Sequence, residues 1–223
     1  MAANLFAPSA YTAALLLYLQ KNRFLLPLNN VLEMGIGSGV LLASALQLGA
    51  RQATGVDIEN AAVEATRALL IQEGLVSRAQ LGQGDLWSAA VVQGQTFDFI
   101  ISNLPQFACE RVPVDGHLPS WSAGGTDGRD LMNPFLSGLH RYLSKNGRAV
   151  ITHNVFLDFE STQQLIGKNH MTARVAQSVS VPLPLNKLNC MNPHTLKRYN
   201  GHGVKQVGGN WFVDFDVLEI TWS

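Results

Sequence analysis

The sequence predicts a doubly wound α/β fold, and three observations predict it. Short Val/Ile/Phe-rich runs alternate with longer helical patterns along the chain. An apolar run, Val31-Leu32-Glu33-Met34, enters a glycine turn, Gly35-Ile36-Gly37-Ser38-Gly39, that opens a helix. A second short strand, Gln52-Ala53-Thr54-Gly55-Val56-Asp57, ends on an acid about twenty residues after that turn.

The elements follow in order. Residues 9–21 read as a helix with Ser9 as a candidate N-cap. The apolar stretch 13–19 is too short to span a bilayer and lacks a basic leader, so an amphipathic helix is expected and no membrane partner. Strands are expected near 30–34, 53–57, 79–83, 96–102, 147–153, 172–180 and 211–221, seven in all. Helices fill the gaps near 39–48, 60–73, 130–144 and 158–167. Ser144-Lys145-Asn146-Gly147 reads as a helix stop and turn. The segment 182–210, rich in Pro, Asn, Gly and His, exceeds an ordinary connection and is a candidate substrate loop or a mobile surface loop.

A chain of 223 residues, 47% apolar and 14% charged, is long enough for the core of one domain, 1–223, with 1–29 as its N-terminal cap. Sixteen Lys and Arg balance sixteen Asp and Glu, which argues against a broad nucleic-acid-binding field. Between Glu160 and Asp214 there is no acid, while Lys168, Arg174, Lys187, Lys197, Arg198 and Lys205 fall there. That asymmetry suits either an anionic substrate group or a surface of mixed partners. Cys109 and Cys190 lack metal or redox spacing and suggest neither a disulfide framework nor a nucleophile, which implies no metal and fits a reducing, cytoplasmic compartment.

The glycine turn lets a ligand approach backbone and points helix N–H groups at it. A dinucleotide turn would place a small residue where Val40 stands, and a pyrophosphate would gain nothing from Glu33. A cationic, amine-bearing ligand would. The segment resembles motif I of the class I S-adenosylmethionine (SAM) methyltransferases, with Glu33, Gly35, Gly37 and Gly39 as cofactor residues. Asp57, with Ile58 beside it, then suits the ribose hydroxyls, or serves as a helix N-cap. Asp85, in Gly82-Gln83-Gly84-Asp85-Leu86-Trp87, suits the adenine amino group with Leu86 or Trp87 over the ring, or is a turn residue. Parallel topology should bring Glu33, Asp57, Asp85 and Asn103 to one rim.

The fourth strand, Phe97-Asp98-Phe99-Ile100-Ile101-Ser102, ends in Asn103-Leu104-Pro105-Gln106-Phe107. This resembles the Asn-Pro-Pro-Tyr motif of the amino-methylating branch, which includes the release-factor glutamine methyltransferases. A planar NH2 group can donate to the Asn103 side chain and to the Leu104 carbonyl, while Pro105 stiffens the turn; these three are the catalytic candidates. Gln106 stands where that motif has its tyrosine, and Phe107 follows; both are acceptor-site candidates together with Tyr11. Leu5-Phe6-Ala7-Pro8-Ser9-Ala10-Tyr11-Thr12 resembles the segment preceding motif I in that branch, and Gly124-Gly125-Thr126-Asp127-Gly128 its later loop. The resemblance covers most of 4–154 and implies a Rossmann-like sheet whose last strand inserts antiparallel. His153, at a strand end, is a possible base but more often such a residue is structural.

The resemblance implies a SAM-dependent N-methyltransferase acting on a small molecule or on a protein amide or amine, with nucleic acid ranked below these. Two other readings stand beside it: a SAM-consuming cyclase or aminocarboxypropyl transferase releasing methylthioadenosine, resembling azetidine-2-carboxylate synthases, and a non-catalytic SAM-binding subunit. The altered turn from Asn103 to Gln106 motivates the former. The acceptor's identity and the oligomeric state are left open by the sequence.

Overall fold

A computed structural model describes residues 7–27, 29–109 and 122–223. Its elements run α1 (Ala10–Lys21), β1 (Asn30–Met34), α2 (Val40–Gln47), β2 (Gln52–Asp57), α3 (Asn60–Gln72), β3 (Ala79–Gln83), β4 (Phe97–Ser102), α4 (Met132–Leu139) and β5 (Leu143–Asn154). They continue with α5 (Phe159–Gly167), β6 (Met171–Pro182), α6 (Leu185–Cys190), α7 (Pro193–Tyr199), β7 (Val204–Val207) and β8 (Asn210–Trp222). Among the described residues the sheet has eight strands in the order β3-β2-β1-β4-β5-β8-β6, with β7 pairing on β8. The expected seven are all present; β7 is the addition. At four residues, with only Val204 buried, it carries no periodic signal.

The chain divides into two compact units, one of Met1–Asn103, Gly138–Ile151 and Ile220–Trp222, the other of Leu104–Ser137, Thr152–Glu219 and Ser223. In the first, β1 pairs in parallel with β2 (Glu33↔Gly55) and with β4 (Leu32↔Ile100), and β2 pairs with β3 (Gly55↔Leu81). Val31, Leu32, Met34, Phe97, Phe99, Ile100 and Ile101 are buried, the near-continuous apolar character of strands covered on both faces. Each such side chain contributes about 1.5–3 kcal/mol. Gly55 has to be bare, because a Cβ there would lie 2.8 Å from Leu81 and 2.9 Å from Ile36.

Helix α1 begins on a capping box in which Ser9 and Thr12 each bond the other's backbone, and it buries Ala14, Leu15, Tyr18 and Leu19. The expected helix 130–144 is shorter: α4 stops at Leu139, and Leu143 already pairs with Phe97. The turn expected at 144–147 is an interruption inside β5, since Phe97 faces Leu143 whereas Phe99 faces Arg148. Extra residues on one strand against few on its partner make a bulge.

In the second unit β8 runs antiparallel to β6, as Arg174 bonds Glu219, Ser178 bonds Asp216 and Leu183 bonds Trp211. The segment 182–210 is built from α6, α7 and β7 rather than from irregular loop. Asn192 caps α7 by accepting from the His194 and Thr195 N–H groups, and Pro193 occupies its first turn. Of the basic residues between Glu160 and Asp214, Arg174, Arg198 and Lys205 pair with Glu219, Asp158 and Asp214. Among the described residues no helix is long and apolar enough to cross a membrane.

Candidate functional site

The glycine turn forms where β1 outruns its partner. Beyond the Met34↔Val56 pair, the N–H groups of Gly35 and Ile36 both donate to the Val56 carbonyl, at 2.8 and 3.1 Å. Gly35, Gly37 and Gly39 then adopt φ of +79°, +47° and +75°, a left-handed path that side chains resist. Gly39 is bare for a further reason: a Cβ would lie 2.6 Å from Thr66 Oγ1, so this glycine admits a helix α3 side chain.

Glu33 sits under that turn at 2% exposure. Its Oε2 has no hydrogen-bond partner, while the Leu42 backbone N–H, free at the start of α2, donates to the carboxylate. Burial pushes the carboxyl well above the ordinary range; the Leu42 bond pulls it down and the Asp57 charge adds to the rise. A buried acid with an orphaned oxygen costs stability unless something cationic or donating completes it.

Asp57 accepts from Gly37 N–H at 3.0 Å and from Glu59 N–H at 2.9 Å, one bond on each carboxylate oxygen. It therefore ties the glycine turn to the end of β2 and is not the cap of α3, whose N-cap is Glu59. Burial raises its carboxyl, the Glu59 charge adds to the rise, and backbone bonds from Glu59, Gly37 and Ile58 oppose it. Ile58 follows with 55% exposure, an apolar surface beside the acid.

The Gly84 N–H donates to the Asp57 carbonyl at 2.9 Å, which places Asp85 at the same rim. Asp85 is exposed and its side chain makes no cap bond to the short 3-10 turn Leu86–Ser88. Trp87 belongs to the core: it is 7% exposed and stacks on Tyr142 at 4.6 Å, and a Cβ on Gly138 would sit 2.3 Å from its ring. Half-buried Leu86, at φ +46°, is left as the apolar residue beside Asp85. Asn103 is half-buried and follows Ser102, whose hydroxyl donates to the Met34 carbonyl at 2.9 Å. The ends of β1, β2, β3 and β4 thus carry Glu33, Asp57, Asp85 and Asn103 to one rim of the first unit. Tyr11 is half-buried in α1, while Leu5 and Phe6 lie outside the described residues.

The chain continues from Asn103 into the second unit. Leu104 is buried and Pro105 half-buried. Gln106 does not face outward. Its amide nitrogen donates to Thr152 Oγ1 at 2.9 Å, to the Thr152 carbonyl at 3.1 Å and to the Leu104 carbonyl at 3.3 Å, and its oxygen accepts from Asn154 N–H at 2.7 Å. A glutamine is the residue that can satisfy both donors and acceptors of a strand end at once. Phe107 is 6% exposed with its ring edge-on to Phe156 at 5.9 Å. Both side chains are engaged by other residues of the second unit.

The glycine loop noted from sequence explains itself here. Gly124 and Gly128 lie so close to the Gln106 backbone that a Cβ on either would come within 2.7 and 2.5 Å of it. The loop wraps the turn that follows Asn103. Thr152 and Asn154 complete it and were invisible in the sequence, being nearly fifty residues from the side chain they hold. His153 between them is fully buried, bonded through Nε2 to Thr162 Oγ1 at 2.9 Å. Burial first, and then the Arg129 charge, pull it down to about 3, so it is neutral and structural.

The family model of ribosomal protein L11 methyltransferase (PrmA) matches residues 11–106, from α1 through the turn after Asn103. A ribosomal protein uL3 glutamine methyltransferase of Bordetella pertussis is 33% identical over 132 residues, 56% of this chain and 44% of that protein. A tRNA1(Val) (adenine(37)-N6)-methyltransferase of a Shewanella species is 41% identical over 81 residues, 35% of this chain and 34% of that protein. The chain spans about half the length, or less, of the relatives it matches. Among solved structures, the Thermus thermophilus 16S rRNA N2 G1207 methyltransferase in complex with AdoMet and guanosine superposes with a TM-score of 0.59 at 18% identity, over 100% of this chain and 45% of that one. That likeness is one of fold.

Proposed function

We propose that this chain, which has the fold of the class I SAM methyltransferases and resembles their Asn-Pro-Pro-Tyr branch, is a SAM-dependent N-methyltransferase whose acceptor is a protein amide of the glutamine type. The observation that carries the reading is Glu33, an acid sealed from water with one oxygen lacking a partner, beneath a turn of three left-handed glycines. The residues present fit SAM: Glu33 meets a cationic amine, the Asp57 carboxylate is an acceptor for a ribose diol, Ile58 and Leu86 are apolar surfaces for an adenine ring, and exposed Asp85 is an acceptor for its amino group. When bound, SAM supplies an electrophilic methyl group on a sulfonium.

Asn103 and the Leu104 carbonyl do the positioning. They accept the two protons of a planar NH2 group, which fixes nitrogen direction and restrains rotation. No base of the chain is required for an amide acceptor, since its nitrogen becomes strongly acidic once alkylated and loses the proton to water. A neutral, buried His153 is consistent with that economy. The Leu104 carbonyl already receives Gln106 Nε2 at 3.3 Å and keeps its second lone pair for the acceptor. The bonds of Gln106 to Thr152 and Asn154 give its departure from the tyrosine a packing reason, which supports methyl transfer over the cyclase reading. The uL3 relative, named for protein glutamine, favours a protein amide over a free metabolite.

Incubation of the protein with SAM and glutamine-bearing peptides, followed by mass spectrometry, tests the reaction. S-adenosylhomocysteine and a peptide heavier by one methyl are expected, with turnover reduced ~100-fold or more in Asn103→Ala because orientation of the acceptor is the main catalytic device. Methylthioadenosine as the product, or full turnover in Asn103→Ala, overturns the proposal.

A further inference from the structure

Cys109 and Cys190 stand 81 residues apart in sequence, with no motif linking them, yet the fold brings their thiols into direct interaction within the second unit. Their chain neighbours also meet. The Asn192 N–H donates to the Ala108 carbonyl at 2.7 Å, and Lys187 Nζ lies 5.8 Å from the Phe107 ring centre. Cys109 is 5% exposed and held by the Phe107–Ala123 and Cys109–Gly125 bridges, whereas Cys190 is half-buried at the end of α6 with its thiol bonded to the Lys187 carbonyl at 3.1 Å. Both thiols are free.

We propose that Cys109 and Cys190 form a reversible dithiol site, which an oxidant of the peroxide class closes to a disulfide tying the turn after Asn103 to helix α6. The more exposed Cys190 thiol meets the peroxide, gains one oxygen as a sulfenic acid and releases water. The Cys109 sulfur then attacks the Cys190 sulfur; the S–S bond forms as the hydroxyl leaves with the Cys109 proton as a second water. Two thiols are oxidised and one peroxide is reduced. Burial, together with the adjacent Cys190, pushes the Cys109 thiol up to about 11, and Lys187 partly opposes this. Cys109 is therefore the less reactive thiol and serves as the resolving partner.

Treatment of the reduced full chain with hydrogen peroxide, alkylation and peptide mapping tests this. A peptide linking Cys109 to Cys190, cleaved again by dithiothreitol, is expected to form at least ~10-fold faster in the folded protein than in urea, where the pair closes a long flexible loop. Cys190→Ser abolishes the linked peptide; Cys109→Ser leaves Cys190 to be labelled by dimedone. Absence of the linked peptide, equal rates folded and unfolded, or disulfides only between chains would overturn the proposal. The rate comparison uses the unaltered protein, so it stands even where a variant fails to fold, and it reads a cross-link whatever reaction the protein catalyses.

Discussion

Replacing Glu33 by glutamine separates binding from folding. In the free protein the carboxyl is 2% exposed, bonded by the Leu42 backbone and otherwise orphaned at Oε2. Its pKa is raised, so the folded chain holds a proton that the unfolded chain releases, and folding is most favoured by this group at low pH and least above the raised value. Glutamine, permanently neutral, removes that pH-dependent loss, and thermal stability at neutral pH should be equal or higher. Ligand binding moves the other way. A charge-assisted bond to an ammonium contributes about 1.5–3 kcal/mol, so SAM affinity should fall about 10- to 150-fold. In the unaltered protein the cation must displace the proton below the raised pKa, and the dissociation constant should rise about tenfold per pH unit as pH falls. That slope should vanish in Glu33→Gln. Calorimetric titration with SAM across pH measures both effects. An unchanged affinity, or a surviving slope, would refute the assignment of Glu33 to the cationic end of the ligand.

Two further outcomes follow from named contacts. Gly39→Ala places a methyl 2.6 Å from Thr66 at a φ of +75° and should cost about 2 kcal/mol or more in urea unfolding, with Thr66→Ala recovering part of the loss; a cost under about 1 kcal/mol would contradict the close approach. His153 has its pKa depressed to about 3, so the unfolded chain binds the proton first and stability from this group declines as pH drops below its ordinary value near 6.5. Between pH 7 and 5 the decline should be about 2 kcal/mol, and His153→Gln should flatten it; an equally steep profile in the variant would show that other groups carry the acid sensitivity.

Much of the fold was legible because its signals are local. The strands 30–34 and 79–83 were found to the residue, since each is a short β-prone run bounded by turn residues. The glycine turn and Asp57 were legible because a strand, a left-handed turn and a helix start must be contiguous in sequence. Three departures share one cause. The helix expected over 130–144 is only Met132–Leu139, the turn expected at 144–147 is a bulge, and the segment 182–210 holds α6, α7 and β7; in each, pairing or packing with distant residues decides what local propensity leaves balanced.

The sequence by itself determined the order of strands and helices, the bare turn and the acids at the strand ends, because periodicity, glycine and chain direction are properties of neighbours. Only the tertiary structure decided what the side chains do. It turned Trp87 into core against Gly138, bound Gln106 to Thr152 and Asn154, and set Cys109 beside Cys190. Those roles depend on burial and on partners tens of residues away, and no stretch of sequence contains both halves of such a contact.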